Sequence, residues 1–238
     1  MLIKDLITTV REDYLHDINE DAYLWSDKRL MRAFTEAERQ VCNRGDYIYD
    51  DTTPQYTKIT LVSGQASYSI DPKVTVIENI IFDGDLIERK SKPDMDVLQP
   101  TWRTDTTMTG NVIYAIISGR KIRFNRIPDA DDDGLFVYLE VYRLPESDIT
   151  NSYQSPEIPE ENHRDLIYWV LHECYKKNDA DGMNLEKSDY FLARFNEIFG
   201  VPVSAKVRQH QLENPRSLTI RPSPYIRTVN AGVDESQW

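Results

Sequence analysis

The segment PEIPEENHRDLIYWVLHECYKKNDADGMNLEKSDYFLARFNEIF, residues 156–199, decides how the rest of the chain is read. Its spacing predicts two antiparallel helices. Pro159 suits the first turn of a helix, where a missing N–H costs nothing, and Glu160 and Glu161 put negative charge at the positive end of the dipole. Lys176 and Lys177 complement the other end. Leu166, Ile167, Val170, Leu171 and Cys174 share one broad face, widened by Trp169 and Tyr175, so this helix has neighbours on two sides. Asn184 is the expected cap of the second helix. That helix carries Phe191, Leu192, Phe195, Ile198 and Phe199 on a narrower stripe and stops at Gly200, ahead of Pro202. The link from Asn178 to Met183 is long enough only for a hairpin.

Working outward, residues 2–14 place Ile3, Leu6, Ile7, Val10 and Tyr14 at helical spacing, ending near His16. Ser26 reads as an N-cap with Asp27 behind it, and Trp25 and Leu30 occupy the positions of a hydrophobic staple. The stripe Leu30, Phe34, Ala37, Val41 runs to about Arg44, with Gly45 placed for a left-handed C-cap. From Tyr56 to Tyr142 the period becomes extended. Strands are expected over 56–62, 66–70, 74–82, 85–89, 112–118, 121–127 and 135–142, with Asp83-Gly84 as a hairpin turn and a helical turn from Pro93 to Leu98. Neither terminal pair of helices can bury its stripe alone. The expected fold is therefore α+β. A four-helix bundle would form from residues 1–50 and 156–200, around an inserted antiparallel β domain at 51–155, with an extended C-terminal arm at 201–238.

The chain has 238 residues, 40% of them apolar, and a formal net charge of −12. That is ample for a core and unfavourable for adhesion to phosphate, which needs clustered Lys and Arg. Without an apolar run of about 18 residues no membrane span is expected, and MLIKDLITTVRED is amphipathic with early acids, unlike a secretory signal. The protein is expected in the cytoplasm when made. Cys42 and Cys174 are the only cysteines, each inside a predicted helix, which suits buried free thiols and not a disulfide framework.

Asp129, Asp131, Asp133, Gly134 and Glu140 match D-x-D-x-D-G-x5-E, a spacing that presents oxygen ligands to calcium. An EF-hand needs flanking helices, whereas the segments on either side read as strands, so the expected role is an acidic hairpin loop and no metal is assigned. His16, His163, His172 and His210 lie at no spacing that suggests a nucleophile or zinc site. Asp179 and Asp181 could serve as acid and base but read as a solvated loop. Trp102-Arg103 reads as a packing anchor in the absence of a basic surround. No glycine-rich phosphate loop occurs. The expectation is a protein without catalysis or cofactor.

EIPEENH, a helix, KKNDAD and a helix ending in F-x-x-x-F-G resemble the head-to-tail adaptor proteins of short-tailed bacteriophages, the connector or tail tubular protein A type. Trp25, Ser26 and Asp27 before a helix with Ala37 and Arg39 near its middle fit the same family, and the resemblance spans roughly residues 1–205. It implies a helical bundle carrying a β domain in a virion protein at the head–tail neck. Such a protein forms a homo-oligomeric ring, a dodecamer by resemblance, beneath the portal. Its partners would be the portal protein, a tail nozzle protein and duplex DNA passing through without tight binding.

In the tail, the bases Lys206, Arg208, Arg216, Arg221 and Arg227 outnumber the acids Glu213, Asp234 and Glu235, and prolines preclude long helices. A basic arm on an acidic body, with Leu218, Ile220, Tyr225 and Ile226 as apolar anchors, is the expected portal-docking element. Two other classes stay open: a carbohydrate- or calcium-binding β module on a helical stalk, and a carboxylate-dependent hydrolase. The isolated chain is expected to be mostly monomeric.

Overall fold

The computed structural model describes residues 1–19, 23–177 and 183–214. Helix α1 (Ile3–Thr9) runs on into a π-helical turn, Val10–Leu15, that ends at His16 with φ 51°. Ile3, Leu6, Ile7 and Val10 are buried as their spacing requires. Arg11, in the wider turn, is buried too. Its Nη2 donates to the Trp25 carbonyl and to Asp27 Oδ1, both at 2.6 Å, and its guanidinium lies 3.5 Å from the centre of the Tyr23 ring. This cation locks the entry to α2 (Asp27–Arg44).

Two capping expectations for α2 fail. Ser26 makes no side-chain cap bond, and Gly45 is extended, with φ −151°. Glycine is needed at 45 for another reason, since a Cβ there would sit 2.7 Å from the Tyr47 ring. The stripe itself is as expected, with Leu30, Phe34, Ala37 and Val41 fully buried.

The extended region contains β1 (Tyr49–Asp50), α3 (Pro54–Thr57), β2 (Lys58–Thr60), β3 (Ser67–Ser69), β4 (Val74–Phe82), β5 (Asp85–Leu86), β6 (Glu88–Arg89), α4 (Lys92–Leu98), β7 (Tyr114–Ser118), β8 (Lys121–Phe124) and β9 (Phe136–Arg143). One sheet has the order β1-β9-β4-β5 with β2 also on β9; the other has the order β3-β8-β7-β6. Residues 85–89, expected as one strand, divide at buried Ile87, so that β5 pairs with β4 in the first sheet and β6 with β7 in the second. The β6–β7 pair is parallel, which corrects the all-antiparallel expectation. Strand β1 lies within the segment expected to be purely helical, 1–50, and joins the first sheet through β9.

The two sheets face each other over one core, to which Ile59, Tyr68, Ile77, Ile80, Phe124 and Val137 contribute. Strand β7 is buried on both faces because Ile116 meets Met95 and Trp102 on the outer side. On β9 the burial alternates, the pattern of a strand with one wet face.

After a 3-10 turn at Glu160–Asn162 come α5 (Leu166–Tyr175), α6 (Leu185–Phe199) and α7 (Ala205–Glu213). Pro159 precedes the 3-10 turn, and α5 proper starts later than expected. Asn184 caps α6 by accepting from the Lys187 N–H at 2.9 Å. Phe195 and Phe199 are buried, whereas Ile198 is exposed. Helices α1, α2, α5 and α6 share a second core, distinct from that of the sheets, with Ile48, Ile149 and Ile158 from the connections.

Candidate functional site

The residues after Gly200 were expected to extend as an arm; the structure corrects this for 205–213, which form α7. Ser204 caps it by accepting from the Val207 N–H, and the short apolar side of the helix is enough to dock it. Leu212 is buried in the core between the sheets. Arg89 Nη2 donates to the Leu212 carbonyl at 2.6 Å, and Glu213 Oε1 accepts the Gly119 N–H at 2.7 Å. Its bonds to Gln209 and Gly119 hold the Glu213 carboxyl below the usual range. Toward the other end of α7, Arg208 donates to Asn43 Oδ1 in the last turn of α2. The helix thus bridges both cores. Beside it lies a cleft of about 350 Å³ lined by Asn43, Thr75, Gly119, Arg120, Leu144 and Arg208.

Of the expected docking residues, Lys206 is exposed on α7 and Arg208 is half-buried against α2. Arg216, Leu218, Ile220, Arg221, Tyr225, Ile226 and Arg227 lie outside the described residues, as do Asp179 and Asp181. The last described residues, Glu213 and Asn214, lie next to the turn between β7 and β8.

A second polar cluster joins the two cores. Arg143, at the end of β9, donates through Nε to Asp50 Oδ2 at 2.6 Å and through Nη1 to Glu157 Oε2 at 2.7 Å. Burial alone would raise Asp50, but the Thr53 N–H and the Arg143 guanidinium hold its carboxyl well below the usual range. Glu38, buried in α2, accepts the Glu157 and Ile158 N–H groups, and burial pushes its pKa up to about 7 despite these bonds. None of these partners was legible from spacing, because Glu38, Asp50, Arg143 and Glu157 come from four separate segments.

The calcium-like residues are used separately. Asp129 Oδ1 accepts the Asp131 N–H at 2.9 Å, Asp133 Oδ1 accepts the Ser63 N–H at 2.8 Å, and Glu140 lies within β9, accepting from Asn79. Among the described residues no group of His, Cys, Asp or Glu is arranged to hold a metal ion.

One constellation escaped the sequence reading. Ser188 Oγ lies 2.9 Å from His172 Nδ1, and His172 Nε2 lies 3.7 Å from Glu173. The order Ser, His, Glu invites a nucleophile, but Ser188 is 1% exposed and its hydroxyl donates to the His172 carbonyl. It clamps α6 to α5.

Trp102 is a packing anchor, as expected: its Nε1 donates to Asp96 at 2.8 Å, and Arg103 pairs with the same carboxylate. The outer face of the first sheet exposes Phe136 and Tyr138, with Lys58 Nζ lying 3.4 Å from the Phe136 ring centre. On the same face Glu140 accepts from Asn79. Cys42 and Cys174 are buried free thiols; burial raises both, Cys174 to about 12. No helix among the described residues is long and apolar enough to cross a membrane.

The two cores are joined by the Arg143 ion pairs, and α7 docks across them. A family model described as SU10 adaptor protein matches residues 1–221, and the chain belongs to that family. It is thus a phage structural adaptor and a component of the virion, with portal and tail components as the partners such a protein joins. No curated protein matches the chain.

Proposed function

We propose that this protein is the head-to-tail adaptor of a short-tailed phage. Copies form a ring beneath the portal, extend the DNA channel and join the head to the tail nozzle. The observation that carries this reading is the family match across residues 1–221. A dodecameric ring is what the resemblance implies. The body is read as a four-helix bundle, built from both ends of the chain, that carries the β domain. The net charge of −12 suits a channel wall, since a duplex has to slide past without forming the cation–phosphate contacts that drive adhesion.

In this account the protein is made in the host cytoplasm, stays monomeric there, and orders its basic arm only on the portal, whose contacts offset the roughly 1–2 kcal/mol of backbone entropy per fixed residue. The arm residues are Arg216, Leu218, Ile220, Arg221, Tyr225, Ile226 and Arg227, with Lys206 and Arg208 at its helical root. Purified portal rings mixed with the chain and viewed by electron microscopy provide the test. Extra ring-shaped density at one end of the portal supports the reading. Portals left bare at saturating protein contradict it.

A further inference from the structure

The exposed side of α2 carries a line of cations. On a chain of net charge −12, Lys28, Arg32 and Arg39 fall on one face of this helix. They line a groove of about 500 Å³ whose floor includes Met31 and Ile149. The groove is preformed. Thr35 Oγ1 donates to the Met31 carbonyl and accepts the Ile149 N–H, each at 3.0 Å, which pins the 148–150 loop to the helix. Arg39 is paired with Asp148 at 2.6 Å, while Lys28 and Arg32 make no ion pair among the described residues. Unpaired cations beside an apolar floor select a segment that carries both carboxylates and apolar side chains. Glu36 and Asp148 in the walls disfavour a run of phosphates.

The chain itself contains such a segment, the Asp129–Asp133 turn. Its shape is fixed by the bonds of Asp129 to the Asp131 N–H and of Asp133 to the Ser63 N–H. Asp131 and Asp133 are exposed, and Val62 and Leu135 beside them are 46% and 45% exposed. A rigid acidic tip flanked by apolar side chains matches the groove in charge and in polarity. We infer that the α2 groove of one copy receives the Asp129–Asp133 turn of a second copy. Groove and turn are different surfaces of the chain, so the contact is head-to-tail and repeats around a ring. The inference rests on the reading that copies assemble side by side, but it does not depend on the portal.

Cysteine pairing tests it, because the native thiols are buried. Arg32→Cys chains are mixed with Asp131→Cys chains and oxidised mildly, with and without portal rings; Asp85→Cys, on another exposed acidic turn, replaces Asp131→Cys in the comparison. The contact predicts roughly tenfold more covalent heterodimer for the Asp131 pair, the population ratio that corresponds to ~1.4 kcal/mol. In addition, Arg32→Glu should reduce self-association and Asp131→Lys in the same chain should restore it. Equal yields for the two pairs, a preference for Asp85, or no link under either condition overturns the contact. Rings visible on portals without the Asp131 link would remove this inference and leave the ring reading intact. The link in solution without rings on portals would do the reverse.

Discussion

The helical part and the sheets bury similar side chains by different rules. In α2 the buried apolar positions follow from local spacing, because a helix brings residues three and four apart onto one face whatever else the chain does. In the sheets each strand waits for a partner far along the chain: β1 and β4 both pair with β9, and β6 finds β7 across an intervening helix. The helical core is thus specified locally, while the sheet core is specified only by the assembly. Where the two meet, at Arg143, Asp50, Glu157 and Glu38, the joint is ionic and buried. A joint of this kind costs desolvation but tolerates few alternative geometries.

The largest effect expected from this contrast is on packing. Phe34→Ala removes a fully buried ring from the helical core and should lower stability by about 3–5 kcal/mol. Tyr138→Ala, on the wet face of β9, should change it by about 0.5 kcal/mol. Urea titrations of the two variants measure the difference, and similar losses would mean that the outer face of β9 is covered in the isolated chain.

The joint comes next. Arg143→Met leaves Asp50 and Glu157 without their shared cation and should cost about 3 kcal/mol. If the joint is what couples the two cores, calorimetry of this variant should show two transitions in place of one.

Smaller, and dependent on pH, is the contribution of Glu38. Its folded pKa of about 7 lies above the unfolded value of 4.5, so the folded state holds the proton more tightly. The stability this gives is fully present below pH 4.5 and is lost as the pH rises through about 7. Glu38→Gln keeps an acceptor for the Glu157 and Ile158 N–H groups and cannot ionise. It should therefore be more stable than the parent at pH 8 by about 1–3 kcal/mol and little changed at pH 4. A constant difference between the two proteins at all pH values would remove Glu38 from the joint's titration.

The same contrast explains what was legible. Leu30, Phe34, Ala37 and Val41 could be placed from spacing alone, and Asn184 and Gly200 marked the ends of α6 because caps are local chemistry. Ser26 and Gly45 misled for a related reason. Their residue types permit a cap without requiring one, and Gly45 answers instead to the approach of the Tyr47 ring. The split of 85–89 between two sheets was invisible because its apolar pattern suits one strand as well as two. Helix α7 was hidden by the prolines around it, at 202 and 215, which preclude a long helix but leave room for one of nine residues. Of the candidate site, the basic composition of the tail was readable, but the anchorage of its root through Leu212, Arg208 and Glu213 depends on groups from α2, β6 and the β7–β8 turn.

The proposed function divides the labour between the described body, through Asn214, and a basic arm at 215–238 that docks to the portal. Two truncations measured side by side test it, each by thermal melt and by co-sedimentation with portal rings. Removing residues 215–238 should leave the melting temperature of the parent chain and abolish co-sedimentation. Removing 203–238 also takes away α7, and should lower the melting temperature as well, because the loss of Leu212 and its neighbours opens the sheet core. Full co-sedimentation of the chain that ends at Asn214 would contradict the account.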